Sequence, residues 1–280
     1  MIRSLTAATL AAAGLALAAT LPANAASLDE VKRRGELRVA VDPAAGQPYV
    51  TKVGEGYAGF EAELARTLAT QLGVNVVFVP TAWPKLLDAL REDQADVALN
   101  ALEITAQPGI RFTRPYYTAS QSILVKKADT AIYGLKDLPG RTVATTAGSV
   151  AAAVLANMPK PPKVKSFPDT AAPFNALAAG QAEAVLLESA MVRWQAKQKP
   201  AQFRVTGLPL LPRPYGAATR AEDATLVEAL NGALVTLRGK GEIKALLTRY
   251  GLWDTLQDDA AKPAAPVKPA ASARPAAPNR

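Results

Sequence analysis

The sequence predicts an α/β protein built from two lobes. Short strands rich in β-branched residues, such as Val74–Val79, alternate with amphipathic helical segments, such as Phe60–Leu72. This alternation is typical of sheets whose strands are connected by crossover helices. The pattern begins again at Arg141–Thr145 and continues to Ala184–Leu187, and 280 residues are enough for two lobes of ordinary size.

The first 25 residues have the pattern of a secretory signal peptide. Arg3 precedes an apolar run from Leu5 to Leu21, and Ala23-Asn24-Ala25 supplies the small residues of a cleavage site. We therefore expect residues 1–25 to be removed and the mature protein to be periplasmic. The sequence contains no cysteine, which excludes disulfides and a lipid anchor on an N-terminal cysteine.

The composition excludes several classes of function. Without histidine or cysteine, the chain lacks His-based acid/base chemistry, Cys nucleophiles and His/Cys metal sites. A carboxylate metal site is the alternative, but the sequence has no EF-hand-like spacing, and we expect neither a metal nor a cofactor. Part of the net charge of +8 belongs to the predicted signal peptide and to the last residues of the chain, namely Arg3, Lys262, Lys268, Arg274 and Arg280. The central part is only weakly basic and has no basic cluster interleaved with aromatic residues, so we expect no nucleic-acid partner.

The first lobe is predicted from helices and strands that alternate up to residue 102. Phe60, Leu64 and Leu68 recur at helical spacing, and Gly35 and Gly73 stand where helices should end. The predicted elements are helix Leu28–Gly35, strand Glu36–Asp42, helix Gly59–Leu72, strand Val74–Val79, helix Trp83–Glu92 and strand Asp96–Leu102.

A strand at Gln121–Lys127 is predicted to leave this lobe and to lead into the second one. Prolines after residue 158 should stop the first helix of that lobe. Its predicted elements are strand Arg141–Thr145, helix Val150–Asn157, strand Lys163–Phe167, helix Thr170–Gly180 and strand Ala184–Leu187. The chain should turn back at Pro209–Pro214 and return through Tyr215–Thr219, and helices Leu226–Leu237 and Glu242–Tyr250 complete the first lobe.

These elements give a division of the chain. The first lobe takes residues 26–119 and 214–256, and the second lobe takes residues 120–213. Residues 257–280 form an Ala/Pro-rich tail that has too little apolar surface to fold, so we expect it to be disordered. The alternative is a tail that contacts the cell wall or a partner protein.

The loop after the third strand is the first candidate for a binding site. In open α/β sheets, ligands bind at the carboxyl ends of the strands. The polar residues of this loop and of the segment that follows it are Asn100, Glu103, Thr105 and Arg111.

The same stretch resembles a motif of the periplasmic solute-binding proteins of the polar-amino-acid class, family 3. The resemblance lies in Ile104-Thr105 and in Phe112-Thr113-Arg114-Pro115-Tyr116-Tyr117. Further similarities, in the same order along the chain, are Gly59-Phe60-Glu61, Asp137-Leu138-Pro139-Gly140, Glu188-Ser189 and Tyr215-Gly216. Together they cover roughly residues 28–253.

The resemblance implies a fold and a function. The fold would be the type II periplasmic-binding-protein fold, in which two lobes, each a mostly parallel sheet flanked by helices, are joined by two crossing strands. The crossings would lie near Thr118–Ser122 and Arg213–Ala218. The lobes of such a protein close over a small solute by a hinge motion, and a monomer delivers that solute to the permease of an ABC transporter.

The resemblance also implies residues that contact the solute. Trp83 matches an aromatic position that stacks on the solute, although it could equally be a tryptophan of the core or of the cleft lip. The backbone groups of Asn100 and Ala101 would line the cleft. Gly148 and Ser149 match the turn that opens a helix of the second lobe, where backbone N–H groups bind a carboxylate. Ser149 could equally be a plain helix N-cap, or serve in both roles.

The site also departs from the family pattern. Glu188 matches the acidic residue that receives the α-amino group of an amino acid, but Pro108 stands where the carboxylate-binding arginine belongs. Arg111 or Arg114 could replace that arginine. If neither does, Glu103 and Glu188 face the cleft without a cation between them, which favours a cationic or amine-bearing solute. The alternative is that Glu103 points to water.

Three functions follow as hypotheses. The first is a solute-binding protein that serves an ABC importer with an amino-acid-like or amine-bearing solute. The second is an accessory protein that binds a periplasmic enzyme, for example a dehydrogenase, and has lost solute transport. The third is a dehydratase-like enzyme that uses Glu103 or Glu188 as an acid or base, although we expect the protein not to be an enzyme.

Overall fold

The computed structural model of the protein describes residues 26–259. The predicted signal peptide lies outside the described residues, as does the predicted tail from residue 260 onward. The strands are β1 Glu36–Val41, β2 Thr51–Val53, β3 Gly56–Ala58, β4 Asn75–Pro80, β5 Val97–Ala98, β6 Ile110–Phe112, β7 Tyr117–Lys126, β8 Thr142–Thr146, β9 Lys163–Phe167, β10 Ala184–Glu188, β11 Phe203–Tyr215 and β12 Ala218–Arg220. The α-helices are α1 Ala26–Arg34, α2 Phe60–Leu72, α3 Leu86–Arg91, α4 Val150–Ala156, α5 Ala172–Ala178, α6 Ser189–Gln198, α7 Ala224–Gly239, α8 Glu242–Arg249 and α9 Thr255–Asp259. Within residues 26–259, no helix combines the length and the apolar character needed to cross a membrane.

Two five-stranded sheets confirm the predicted α/β fold class. The first sheet has the order β4-β1-β5-β12-β6, and the second has the order β11-β7-β10-β8-β9. Strands β4, β1 and β5 run parallel to one another, as do β10, β8 and β9. The remaining pairs are antiparallel, so each sheet is more mixed than expected.

Two long strands, β7 and β11, connect the lobes. They pair antiparallel from Tyr117 opposite Tyr215 at one end to Lys126 opposite Phe203 at the other. Tyr117 and Tyr215 belong to the hydrophobic core of the first lobe, whereas Phe203 belongs to a core of the second lobe. The two strands therefore form one continuous ribbon between the lobes, as expected for this fold class.

Helix α2 shows how the sequence determines local structure. Phe60, Leu64 and Leu68 are buried on one face of the helix, which matches their spacing. Gly73 ends the helix in the left-handed conformation, with φ of 76°, and its N–H donates to the carbonyls of Ala69 and Thr70. The buried face of α2 packs in the core of the first lobe.

Several elements differ from the prediction. The third strand was expected over Asp96–Leu102, but β5 spans only Val97–Ala98, because the Asn100 carbonyl accepts from the Trp83 indole and the Ala101 N–H donates to the Glu61 carboxyl group instead of pairing in the sheet. The predicted helix Trp83–Glu92 is a short 3-10 helix followed by α3. Helix α6, which follows β10 directly, was not predicted.

The turn expected at Pro209–Pro214 is part of strand β11. β11 is the edge strand of the second sheet, where proline is tolerated because one side of the strand needs no N–H donors. Register shifts after Thr206 and after Leu210 accommodate the irregular backbone.

The predicted tail begins three residues too early. Residues 257–259 belong to α9, and the Gln257 side chain is buried. Its amide accepts from the N–H of Thr118 at 2.9 Å and donates to the carbonyl of Thr118 at 2.9 Å. These bonds attach α9 to the start of β7.

We predict that Gly59→Ala destabilises the protein by about 3 kcal/mol or more, because an added Cβ would combine backbone strain with overlap. Gly59 has φ of 117°, and its Cβ would lie 1.9 Å from the carbonyl oxygen of Tyr49. Gly54→Ala is the matched control, since Gly54 also has positive φ but has open space around it. Urea unfolding should show a much smaller loss for the control, and equal losses would contradict the close-contact explanation.

Candidate functional site

Trp83 is held at the carboxyl ends of strands β1 and β5. Its indole Nε1 donates to the backbone carbonyl of Asn100 at 3.0 Å, and its backbone N–H donates to Asp42 Oδ2 at 2.8 Å. Asn100 is buried, and its Oδ1 accepts from the backbone N–H of Asp42 at 2.6 Å. The Trp83 side chain is nevertheless 51% exposed, so a fixed indole face is available to solvent.

A buried carboxyl group holds the next residue of the loop. Ala101 has φ of 53°, an unfavourable conformation for alanine. Its N–H donates to Glu61 Oε1 at 2.7 Å, and the Tyr116 hydroxyl donates to the same oxygen. Burial raises the pKa of Glu61 to about 7, the two hydrogen bonds lower it, and the charge of Glu188 raises it. Glu61 therefore fixes the backbone that lines the candidate site.

Glu103 forms an ion pair with Arg213 of β11. Two backbone hydrogen bonds bring the pair together. The N–H of Ile104 donates to the carbonyl of Pro214 at 2.9 Å, and the N–H of Gly216 donates to the carbonyl of Leu102 at 3.1 Å. The Arg213 and Glu103 side chains are 34% and 31% exposed. The pair thus lies at the junction of the first lobe and the connecting ribbon, partly open to solvent.

A cavity of about 340 Å³ lies at this junction. It is within the usual range for small-molecule sites. Its walls combine apolar side chains with a small number of polar groups. The lining residues are Trp83, Leu87, Ala101, Leu102, Glu103, Thr105, Gln107, Phe112, Arg213 and Tyr215.

Glu188 ends β10 in the second lobe and caps helix α6. Its Oε1 accepts from the N–H of Ala190 at 3.3 Å, and its Oε2 accepts from the hydroxyl of Tyr49 in the first lobe. Burial raises the pKa of Glu188 to about 7, whereas the Tyr49 and Ala190 hydrogen bonds and the charge of Arg213 lower it. Glu188 therefore connects the two lobes and is partly protonated near neutral pH.

Gly148 and Ser149 lie in the second lobe, at the start of α4. Gly148 has φ of 69°. Ser149 is the N-cap of α4: its Oγ accepts from the N–H of Ala152 at 3.1 Å and donates to the carbonyl of Thr146 at 2.7 Å. Its hydroxyl is thus used within the turn, and a contact of either residue with a solute stays a prediction.

The structure brings part of the predicted site together. Trp83, Ala101, Glu103 and Thr105 line one cavity, and Asn100 is buried next to Trp83. Gly148, Ser149 and Glu188 are not among the residues that line it. Arg111 is exposed on β6, away from the cavity walls. Solute contacts for these residues remain predictions.

One expectation about charge is wrong. Glu103 and Glu188 were expected to face the cleft without an arginine, but Arg213 pairs with Glu103 and also lowers the pKa of Glu188. The case for a cationic solute, which rested on two unbalanced carboxylates, is correspondingly weaker. In the described part of the chain, no three acidic side chains cluster in a way that could hold a metal ion.

Sequence reasoning missed Arg213, Tyr215, Tyr49 and Glu61 as site residues. Arg213 and Tyr215 lie in the predicted crossing, and Glu61 lies in the Gly-Phe-Glu motif, so each carried a positional signal. The pairing of Glu103 with Arg213 joins residues 110 positions apart. It depends on tertiary structure that a local pattern does not contain.

Comparisons with known proteins place this geometry in context. The family model of the bacterial extracellular solute-binding proteins, family 3, matches residues 37–252. The L-cystine-binding protein TcyJ of Escherichia coli K12 is 27% identical over 80% of this chain and 85% of its own length. The cyclohexadienyl dehydratase of Pseudomonas aeruginosa is 28% identical over 68% of this chain and 73% of its own. The solved structure of an ancestral cationic amino acid solute-binding protein, AncCDT-1, has a TM-score of 0.74 and 31% identity, with 80% of this chain and 99% of that chain covered.

Because the pKa of Glu61 is raised, we predict that the protein loses stability as pH rises from about 4.5 to about 7. In this window the folded state keeps the Glu61 proton while the unfolded chain releases it. By pH 8 the release of this proton lowers the free energy of unfolding by about 3 kcal/mol.

Glu61→Gln should remove the part of the pH dependence of stability that Glu61 contributes. Glu55→Gln, at an exposed turn, should leave that pH dependence unchanged. Urea unfolding at pH 5, 6, 7 and 8 measures the difference. A wild-type profile parallel to that of Glu61→Gln would contradict the assignment.

Proposed function

The chain belongs to family 3 of the bacterial extracellular solute-binding proteins, and we propose that it binds an amino-acid-like or amine-bearing solute between its lobes and delivers it to an ABC importer. A polar contact joins the two lobes, and the charge of Arg213 on the connecting ribbon lowers the pKa of the carboxyl group in that contact; this observation carries the proposal. Glu188 comes from the second lobe, Tyr49 from the first and Arg213 from β11. A solute that contacts such groups is held best when the lobes close.

Each end of the proposed solute has a partner. The α-ammonium group binds the Glu188 carboxylate and displaces the hydroxyl of Tyr49 from it. The rest of the solute stacks on the exposed face of Trp83. Closure removes both contacts from water, which strengthens the ion pair with Glu188.

The proposed site has a built-in sensitivity to pH. An ammonium group binds the ionised form of Glu188, whereas the pKa of free Glu188 is raised to about 7. At pH 6 the carboxyl group must first lose a proton, and that cost weakens binding. Exported proteins meet variable pH, so the affinity for the solute would follow the surroundings of the cell.

The proposed partner is the permease of an ABC transporter in the inner membrane. Among the relatives, one is named as the arginine-binding protein of an ABC transporter in Escherichia coli K12, which supports the transport role. The protein acts as a monomer at the periplasmic face of that permease.

A thermal-shift screen of the purified exported protein against the twenty L-amino acids and a set of primary amines tests the proposed function. At least one of them should raise the melting temperature progressively with concentration, as linkage requires. Native mass spectrometry should then show one bound molecule per chain. No shift from any compound would instead favour the accessory-protein hypothesis, to be followed by pull-down experiments.

For an amine-bearing ligand found in this way, we predict binding about tenfold weaker at pH 6 than at pH 8, since the ionised fraction of Glu188 changes by about that factor. Calorimetry at both pH values measures the ratio. Glu188→Gln should weaken binding at pH 8 and abolish the pH dependence, while Glu92→Gln on the exposed end of α3 should change neither. Unaltered binding by Glu188→Gln would show that the ammonium group binds elsewhere.

A further inference from the structure

The described residues of the candidate site include one cationic side chain, and it does not come from the loop after β5. Pro108 occupies the position where an arginine was expected, and its carbonyl accepts from Arg91 at 3.1 Å. Arg111 and Arg114 are both exposed, and neither lines the cavity. Among the described residues that line the cavity, Arg213 is the one cation.

We propose that Arg213 is the carboxylate-binding residue of the cleft, and that the solute is therefore an amino acid without a cationic side chain. This inference rests on the proposed function, because it assigns the acidic group of the solute bound there. The guanidinium approaches from the connecting ribbon rather than from the loop after β5.

The position of Arg213 suits it for this role. Arg213 pairs with Ala119 of β7 near the first-lobe end of the ribbon, two residues from the pairing of Tyr117 with Tyr215, so its backbone is held by both connecting strands. Its neighbour Tyr215 lines the same cavity. An arginine on such a support can present two parallel N–H groups to a carboxylate with little loss of freedom.

In the absence of solute, the carboxylate of Glu103 is paired with the guanidinium of Arg213. Both side chains of the pair are about one-third exposed, at 34% and 31%, and partly exposed pairs contribute little to stability. Glu103 can therefore move into water when a solute carboxylate replaces it. The pair keeps Arg213 oriented toward the cavity before the solute arrives.

The other cavity walls define the rest of the solute. Trp83, Leu87, Leu102 and Phe112 form an apolar surface next to Arg213. A cationic side chain placed there would face Arg213, and Glu103, the one carboxylate among the described residues that line the cavity, turns toward water when the solute carboxylate replaces it. The walls therefore favour an uncharged side chain and oppose a cationic one.

Calorimetry with matched ligands tests the inference. The probes are L-leucine, L-glutamine and L-phenylalanine, the decarboxylated amines 3-methylbutylamine and 2-phenylethylamine, and the cationic amino acids L-arginine and L-lysine. We expect at least one uncharged amino acid to bind, its decarboxylated amine to bind at least about tenfold more weakly, and the cationic amino acids to bind more weakly as well.

The two members of the ion pair should respond in opposite directions. Arg213→Gln should weaken binding of the amino acid by at least about tenfold, because it removes a charge-assisted pair of hydrogen bonds. Glu103→Gln should strengthen binding of the amino acid by about two- to fivefold, because the Glu103 carboxylate no longer competes with the solute carboxylate for Arg213, and a partly exposed ion pair is worth about that much. A purely structural ion pair would not give this opposite pattern.

Arg249→Gln, at the exposed end of α8 and not among the residues lining the cavity, is the matched control and should bind like the wild type. Melting temperatures without ligand check that each variant folds, and the partial exposure of Arg213 and Glu103 makes folding of both variants the expected result. Wild-type affinity in Arg213→Gln, equal affinity for the decarboxylated amines, or preference for L-lysine or L-arginine would each overturn the inference and leave the proposed function intact. A wild-type protein that binds no small molecule would instead overturn the proposed function.

Discussion

The antiparallel pairing of β7 with β11 is the interaction on which the rest of the structure depends. It is the ribbon that carries the chain from the first lobe to the second and back. Tyr117 and Tyr215 anchor one end in the core of the first lobe, and Phe203 anchors the other in the second. Because backbone hydrogen bonds hold the ribbon, side chains that project from it would keep their place during the proposed hinge motion of the lobes.

Buried carboxyl groups give the site its chemical character. Glu61 holds the backbone of Ala101 and Glu188 accepts the hydroxyl of Tyr49, and burial raises the pKa of each to about 7. Such groups oppose folding at alkaline pH, so their presence points to a task other than stability. Glu61 orients the loop, whereas Glu188 lies between the lobes, at the place proposed for the ammonium group of the solute.

The fold could be predicted largely from the sequence, because hydrophobic periodicity and glycine positions specify α2, β4, β8 and most other elements locally. The elements that failed depend on tertiary structure: β5 is short because Asn100 and Ala101 bond to distant groups, and β11 tolerates prolines because it is an edge strand. The site followed the same rule. Trp83 was predicted from a motif position and Glu103 from the polar loop after β5, but Arg213 was missed because its partner is far along the chain.

The central claim is that the two lobes close when a solute binds. Distance measurement between two spin labels by double electron–electron resonance tests this claim most directly. The chain has no cysteine, so spin labels on Lys85→Cys in the first lobe and Thr170→Cys in the second report one distance. Both positions are exposed. Saturating amino-acid ligand should shift the distance distribution to shorter values and narrow it. An unchanged distribution in the presence of bound ligand would contradict closure and the function built on it.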